Sequence, residues 1–279
     1  MPHPLDGARL KIIRAEEHVQ MLKAEIAMYL NARPWAIGTE TAGKEIQKIT
    51  AVYSGDDIHA PSRGEAELRL VTSVVSPPPL RLSTIIGDCV TNARAALDYI
   101  LWELVVRYFD PPFNSQRADD RRITAFPISK IVNQSGYVNR LDRLAKRRIP
   151  MAAIAEIKAV QPYTPGYEPL WLLHELVNTD KHRMPILTLA QVPVFMTLTD
   201  RAGSVSYGSG TFQGHVAPLD KTVDGKVATE VSVKMDDKVA TTVTFKDDAM
   251  PRESVDRTLE QIIATVAKII PRFEPFLTW

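Results

Sequence analysis

Two stretches carry polar residues at spacings that chemistry could use. In 83–109, at about 100° per residue, Asp88, Thr91, Asn92, Asp98, Tyr99, Trp102 and Glu103 share one helix face. Val90, Ala93, Leu97, Ile100 and Leu104 share the opposite one. Arg94 precedes Asp98 by one turn, the spacing of an i,i+4 ion pair. In 169–182, Leu170, Leu173, Leu176 and Val177 form an apolar face, while Trp171, His174, Glu175, Asn178 and His182 form a second. His174, Asn178 and His182 therefore stack at i, i+4 and i+8.

Three kinds of chemistry fit these residues. A small-molecule pocket between the two helices would have Tyr99, Trp102 and Trp171 as apolar walls. Asn92, Asp98, His174 and Asn178 would supply its polar contacts. A nucleic-acid site would use Arg94 on a phosphate, with His174 or His182 as acid or base near neutral pH. A structural lock would join Arg94, Asp98 and Asp180 in a buried network. The bland alternatives are a solvated polar face on 83–109, and Lys181, His182 and Arg183 answering the negative end of a helix dipole. Asp180 falls on the Leu173/Leu176 side of its helix, where an unpaired carboxylate is costly. The sequence thus predicts a partner for it among Arg94, Lys181, Arg183 or backbone N–H groups. It also predicts that the two helices pack together. Candidate binding residues are Asn92, Asp98, Tyr99, Trp102, Trp171, Asn178, Asp180, Lys181 and Arg183; the conjectural catalytic set is Arg94, His174 and His182.

Several chemistries are excluded. His174-Glu175 opens like a zinc-protease HExxH motif, but position 178 is asparagine. His174 and His182 would sit about 12 Å apart along a helix axis, too far to share a metal, so no metal and no cofactor is expected. There is no P-loop, no GxGxxG and no GxSxG. Cys89, the single cysteine, has no internal disulfide partner, which fits a reducing cytoplasm.

The rest of the 279 residues must position these side chains. Hydrophobic residues at 45% and charged residues at 24% are the balance of an ordinary globular chain, not a disordered or collagenous one. No run reaches the roughly 18 apolar residues of a membrane span, so no membrane partner is expected. The net charge of +1 hides an asymmetry: residues 117–183 carry 12 Lys and Arg against 7 Asp and Glu. Arg117, Arg121, Arg122 and the run Arg140, Arg143, Lys146, Arg147, Arg148 supply most of it. Such a run reads either as a solvated helix face or as an RNA-guiding surface.

Apolar periodicity predicts helices over 5–30 (Leu10, Ile13, Val19, Leu22, Ile26, Leu30), 83–109 with Ser83 as N-cap, 134–147, 151–160, 169–182 and 251–270. Alternation predicts strands at 44–54 and 65–75 as a hairpin, and a four-stranded meander over 186–247. The most economical assembly is α+β: the central helices packed on one largely antiparallel sheet of about six strands, with the terminal helices together, in a single domain 1–279. A helical domain inserted into a sheet domain is the alternative.

The set Gly87-Asp88-x-x-x-Asn92-x-Arg94-x-Ala96-Leu97-Asp98, Phe126-Pro127-Ile128, Gln161-Pro162-Tyr163 and Leu173-His174-Glu175-Leu176-x-Asn178-x-Asp180-Lys181-His182-Arg183 resembles a widespread bacterial family of uncharacterised proteins over residues 80–185. A weaker resemblance is to the HEPN superfamily of helical domains. That likeness implies metal-independent ribonuclease activity of a toxin or defence type, with an Arg followed by a His after four to six residues. Here the fifth residue after Arg94 is Tyr99, so His174 or His182 would have to replace that histidine. The reading as a whole is a structural or interaction protein, or a small-molecule binder, with the HEPN-like ribonuclease as the alternative. RNA, a small molecule or a second copy of the chain remain open as partners.

Overall fold

The computed structural model describes residues 3–32, 34–42, 49–51, 58–60, 67–74, 76–114, 116, 120, 123–185, 187–190, 192–199, 205–212, 231–233, 242–246 and 253–278. Its elements in chain order are helix α1 (Asp6–Asn31), strands β1 (Trp35–Ala42), β2 (Ile49–Ala51), β3 (Ile58–Ala60) and β4 (Glu67–Val74), and helices α2 (Leu80–Tyr108), α3 (Ser135–Lys146), α4 (Met151–Ala159) and α5 (Pro169–His182). Strands β5 (Leu187–Ala190), β6 (Val192–Thr199), β7 (Val205–Phe212), β8 (Val231–Val233) and β9 (Thr242–Phe245) follow. Helix α6 (Val255–Ala267), a 3-10 turn (Ile270–Phe273) and helix α7 (Glu274–Leu277) close the chain. Where the sequence suggested one domain, the chain divides into two compact units: residues 1–25, 80–186 and 249–279, and residues 26–79 and 187–248.

The first unit is helical. Its centre is α2, which follows the proline run at 77–79 and carries no proline or interior helix breaker apart from Gly87. Its buried residues form one broad arc of about 200°: the predicted face of Val90, Ala93, Leu97, Ile100 and Leu104, widened on one side by Ile85, Cys89 and Ala96 and on the other by Leu101 and Val105. So wide an apolar arc is covered by several neighbours, and α2 packs against α5, α6 and α7. The chain's ends join this core through Leu5, through Ala8, Ile12, Ala15, Val19 and Leu22 of α1, and through Leu259, Ile262, Ile263, Val266 and Phe273 at the C-terminal side. The predicted Val19, Leu22 and Ile26 are buried, but the first half of α1 departs from prediction: Leu10 and Ile13 are exposed while Ala8, Ile12 and Ala15 are buried. Small Ala8 and Ala15 share the buried stripe. Ser83 does not cap α2, which starts three residues earlier; its hydroxyl is buried and donates to the Pro185 carbonyl at 2.8 Å.

The second unit holds the strands, and here the predicted fold class is overturned. The described chain is mostly helical, and its strands do not form one six-stranded sheet beneath helices. They form separate ladders: β2-β1-β4, β3-β8, β5-β9 and β6-β7, all antiparallel. The predicted strand at 65–75 is β4, but its partner is β1, Trp35 opposite Val74 through Ala42 opposite Glu67, rather than the 44–54 segment. Residues 44–48 and 52–54 of that segment lie outside the described residues. The meander is likewise replaced: β6 and β7 make a hairpin, while β5 pairs with β9 and β8 with β3. Alternation marks a residue run as strand; it carries no information about which distant run completes its ladder. Among the described residues no helix is long and apolar enough to cross a membrane.

Candidate functional site

The site is built on α2. Arg94 and Asp98 are an ion pair as their spacing predicts, with Arg94 Nη2 3.0 Å from Asp98 Oδ1 and Nε 3.4 Å from Oδ2. The pair is not idle. Asp98 Oδ1 accepts the Phe126 N–H at 2.7 Å, and Arg94 Nη2 donates to the Phe126 carbonyl at 2.6 Å. One carboxylate and one guanidinium therefore hold both peptide groups of a single residue, whose ring is buried edge-on against Phe273 at 6.1 Å. Neighbouring peptide groups are held as well. Arg140 of α3 donates to the Ala125 carbonyl. Gln161, fully buried after α4, donates through Nε2 to the carbonyls of Pro127 (3.0 Å) and Ile157 (2.8 Å) and accepts the Ser129 N–H at 2.8 Å. Residues 125–129 are irregular backbone, so their N–H and C=O groups have no ladder to join and need side-chain partners when buried.

Above this clasp, between α2 and α5, lies a cavity of about 310 Å³. Its lining comprises Thr91, Arg94, Ala95 and Asp98 from α2, Ala125, and His174, Val177, Asn178 and Lys181 from α5. Asn178 Nδ2 lies 3.0 Å from His174 Nε2, and Trp171 stacks on the His174 ring at 5.1 Å with Lys130 Nζ 5.5 Å from the indole. Burial, then the positive charges of Arg94 and Lys181, hold the His174 pKa below its ordinary value against the opposing pull of Glu175.

The structure thus brings Arg94, Asp98, His174, Asn178 and Lys181 together, with Trp171 behind His174. It places the other predicted residues elsewhere. Asn92 accepts from Lys11 of α1 at 3.1 Å and donates to the Asp88 carbonyl. Tyr99 lies over Gly7 of α1, where an added Cβ would meet the ring at 2.8 Å, and Trp102 packs edge-on against Phe113 at 4.9 Å. Neither aromatic walls the cavity. His182 and Arg183 are exposed at the end of α5.

Asp180 departs furthest from expectation. It forms no hydrogen bond or ion pair with any described residue, and Arg94 is engaged with Asp98 and Phe126 instead. Its carboxylate rests on Gly87, whose absent side chain leaves the space: a Cβ there would sit 2.4 Å from Asp180 Oδ1. Burial and the neighbouring Asp88 raise its pKa. The penalty that called for a partner is met by partial exposure and a shifted proton equilibrium.

The basic run is largely spoken for. Arg147 pairs with buried Asp120 and lies 4.3 Å from the Phe109 ring, Arg148 pairs with Asp110 at 3.0 Å, and Arg140 holds Ala125. Arg117, Arg121 and Arg122 lie outside the described residues. Among the described residues no group of three or more His, Cys, Asp or Glu could hold a metal ion. Sequence reasoning missed Phe126, Arg140 and Gln161 as partners of the Arg94–Asp98 pair. The signal was present, since Phe126-Pro127-Ile128 and Gln161-Pro162-Tyr163 stand out as motifs, but their contact with α2 is long-range. No protein-family model matches the chain, and neither a curated protein nor a solved structure is detectably similar to it.

Proposed function

We propose that this protein binds a small molecule in the cleft between α2 and α5, and that the clasp around residues 125–129 is the structural lock that holds the cleft's floor. The observation that carries this reading is a cavity whose lining keeps hydrogen-bonding capacity to spare. Arg94 Nη1, the Thr91 hydroxyl, His174 Nδ1, Asn178 Oδ1 and Lys181 Nζ have no partner among the described residues. A cleft with convergent, unspent polar groups over an apolar base is what ligand sites share. The floor must be rigid for such groups to stay in place, and Arg94, Asp98, Arg140 and Gln161 supply that rigidity. The reading places the protein in the cytoplasm, in keeping with its single buried Cys89; cell fractionation checks this.

Fragment screening by protein-observed NMR tests the proposal. Compounds that bind should shift signals of α2 and α5, and Ala95→Trp, which fills the cavity from its wall, should abolish those shifts while leaving the melting temperature near its starting value. Binding that survives Ala95→Trp, or no fragment that moves these signals, removes the proposal.

The HEPN-like ribonuclease reading has one observation in its favour: Arg94 and His174 line the same cleft. It leaves Arg94 only Nη1 for a phosphate, since Nε and Nη2 are committed to Asp98 and Phe126. RNA that stays intact with the purified protein, in contrast to cleavage lost in His174→Ala, decides against it.

A further inference from the structure

The cleft's electrostatics narrow the kind of molecule it would hold. We propose that the ligand of the α2–α5 cleft is a small molecule bearing an oxyanion, a carboxylate or phosphoryl group, received by Arg94 Nη1, His174 and Lys181. This rests on the small-molecule reading above and goes beyond it by naming the chemistry.

Arg94 pairs with Asp98 side-on, through Nε and Nη2, so the two N–H groups of Nη1 are left over. Its side chain is only 16% exposed, so those donors face a partly dehydrated space where an anion is held more strongly than in water. The one carboxylate of the lining, Asp98, is spent twice over, on Arg94 and on the Phe126 N–H. Lys181 at the rim has no carboxylate partner among the described residues. The lining therefore presents two cations and one engaged carboxylate, with Arg140 close enough that the Arg94 charge adds to burial in lowering its pKa. His174 responds to the same field. It is faced by Arg94 and Asp98 from α2, by Glu175, Asn178 and Lys181 of its own helix, and by Lys130 beyond Trp171. An oxyanion placed among them would offset the positive field of Arg94 and Lys181 and so favour a proton on His174. A neutral or cationic ligand would not.

The test uses the full chain and four probes: sulfate, phenyl phosphate, benzoate, and benzamide as the uncharged match to benzoate. The His174 pKa is followed by NMR with and without each probe. Benzoate or phenyl phosphate should bind and raise the His174 pKa, and affinity should fall as pH rises, by up to about tenfold per pH unit between the free and bound values. Lys181→Gln, an exposed change that leaves the fold intact, should weaken anion binding about fivefold, and Lys181→Arg should restore it. Benzamide binding as well as benzoate, or anion affinity indifferent to Lys181→Gln, overturns the oxyanion inference and leaves the cleft reading standing. No binding by any probe, benzamide included, together with a blank fragment screen, overturns both. A short single-stranded RNA that displaces phenyl phosphate and binds more than about tenfold tighter overturns the small-molecule source of the anion.

Discussion

If the clasp on Phe126 works as a unit, Arg94 and Asp98 should be strongly coupled in stability. Asp98→Ala deletes the acceptor of the Phe126 N–H and strips Arg94 of its counter-ion in one step. A charge-assisted hydrogen bond contributes about 1.5–3 kcal/mol. A stranded donor in a residue that is 1% exposed costs a comparable amount. The Asp98 side chain is itself 33% exposed, so solvent returns part of this, and about 3 kcal/mol is the expected loss. For a chain of this size each kcal/mol lowers the melting temperature by roughly 2–4 °C, so a fall of about 6–12 °C follows. Arg94→Ala should cost about as much, since it orphans the Phe126 carbonyl and leaves Asp98 unpaired. The double variant should fall short of the sum by about 2 kcal/mol, because each single change already breaks the shared arrangement. Asp98→Asn, which still offers an oxygen to the Phe126 N–H, should lie between wild type and alanine. Calorimetry and urea unfolding of the four proteins make the double-mutant cycle. Additivity within about 0.5 kcal/mol, or an Asp98→Ala loss below about 1 kcal/mol, would refute the claim that these residues clamp the peptide together.

Gly87→Ala should destabilise by about 1–3 kcal/mol through the clash with Asp180, and adding Asp180→Ala should recover most of it; equal losses in both backgrounds would show that the two residues do not touch. Asp180→Asn should be neutral or stabilising at neutral pH. A carboxyl whose folded pKa is raised contributes most below its unfolded value of 3.8 and loses that contribution as pH rises through the folded value, so the advantage of asparagine should vanish in acid; melting curves at both ends of that range check it. The lowered pKa of His174 has the opposite dependence on acidity. Its neutral form suits the fold, so the contribution is complete above about 6.5 and declines as pH falls toward the folded value, a decline that His174→Gln should abolish in thermal melts. Gln161→Ala should cost about 3–4 kcal/mol in denaturant unfolding, since it strands buried groups of Pro127, Ile157 and Ser129 at once.

Local spacing was legible and long-range partnership was not. The bounds of α5 follow from Pro169 at its first turn and the Leu170, Leu173, Leu176 repeat, and the structure has Pro169–His182. The Arg94–Asp98 pair follows from i,i+4 spacing. A helical wheel has no means of showing that this pair reaches across to Phe126. On α2 the predicted face is only the centre of an apolar arc that Ile85, Cys89, Ala96, Leu101 and Val105 widen, and a helix expected to lie on a sheet lies among helices. The strand runs alternate as strands should, yet their ladders join β5 to β9 and β3 to β8 across long sequence separations. Asp180 failed for a different reason. Burial was inferred correctly in direction, but the space came from Gly87, a residue whose contribution is the atoms it lacks.

The residues with the most telling pattern are therefore the least free to meet a ligand, Arg94 keeping only its Nη1. Arg94 and Asp98 have most of their hydrogen-bonding capacity invested in each other and in a backbone segment, and Gln161 has two of its three side-chain hydrogen bonds there. The capacity left over is concentrated on α5, in His174, Asn178 and Lys181, on a helix whose own packing depends on Leu170, Leu173 and Leu176 rather than on them. This division dictates how mutational data must be weighed. Loss of binding in Arg94→Ala or Asp98→Ala is what a collapsed floor gives, whether or not either side chain touches ligand. Substitutions at Asn178 and Lys181 leave the clasp and the apolar face of α5 in place, so weaker binding there means that the ligand meets those side chains directly. An effect confined to the α2 variants argues for a lock alone, and only an effect of the α5 variants at unchanged melting temperature argues for a site.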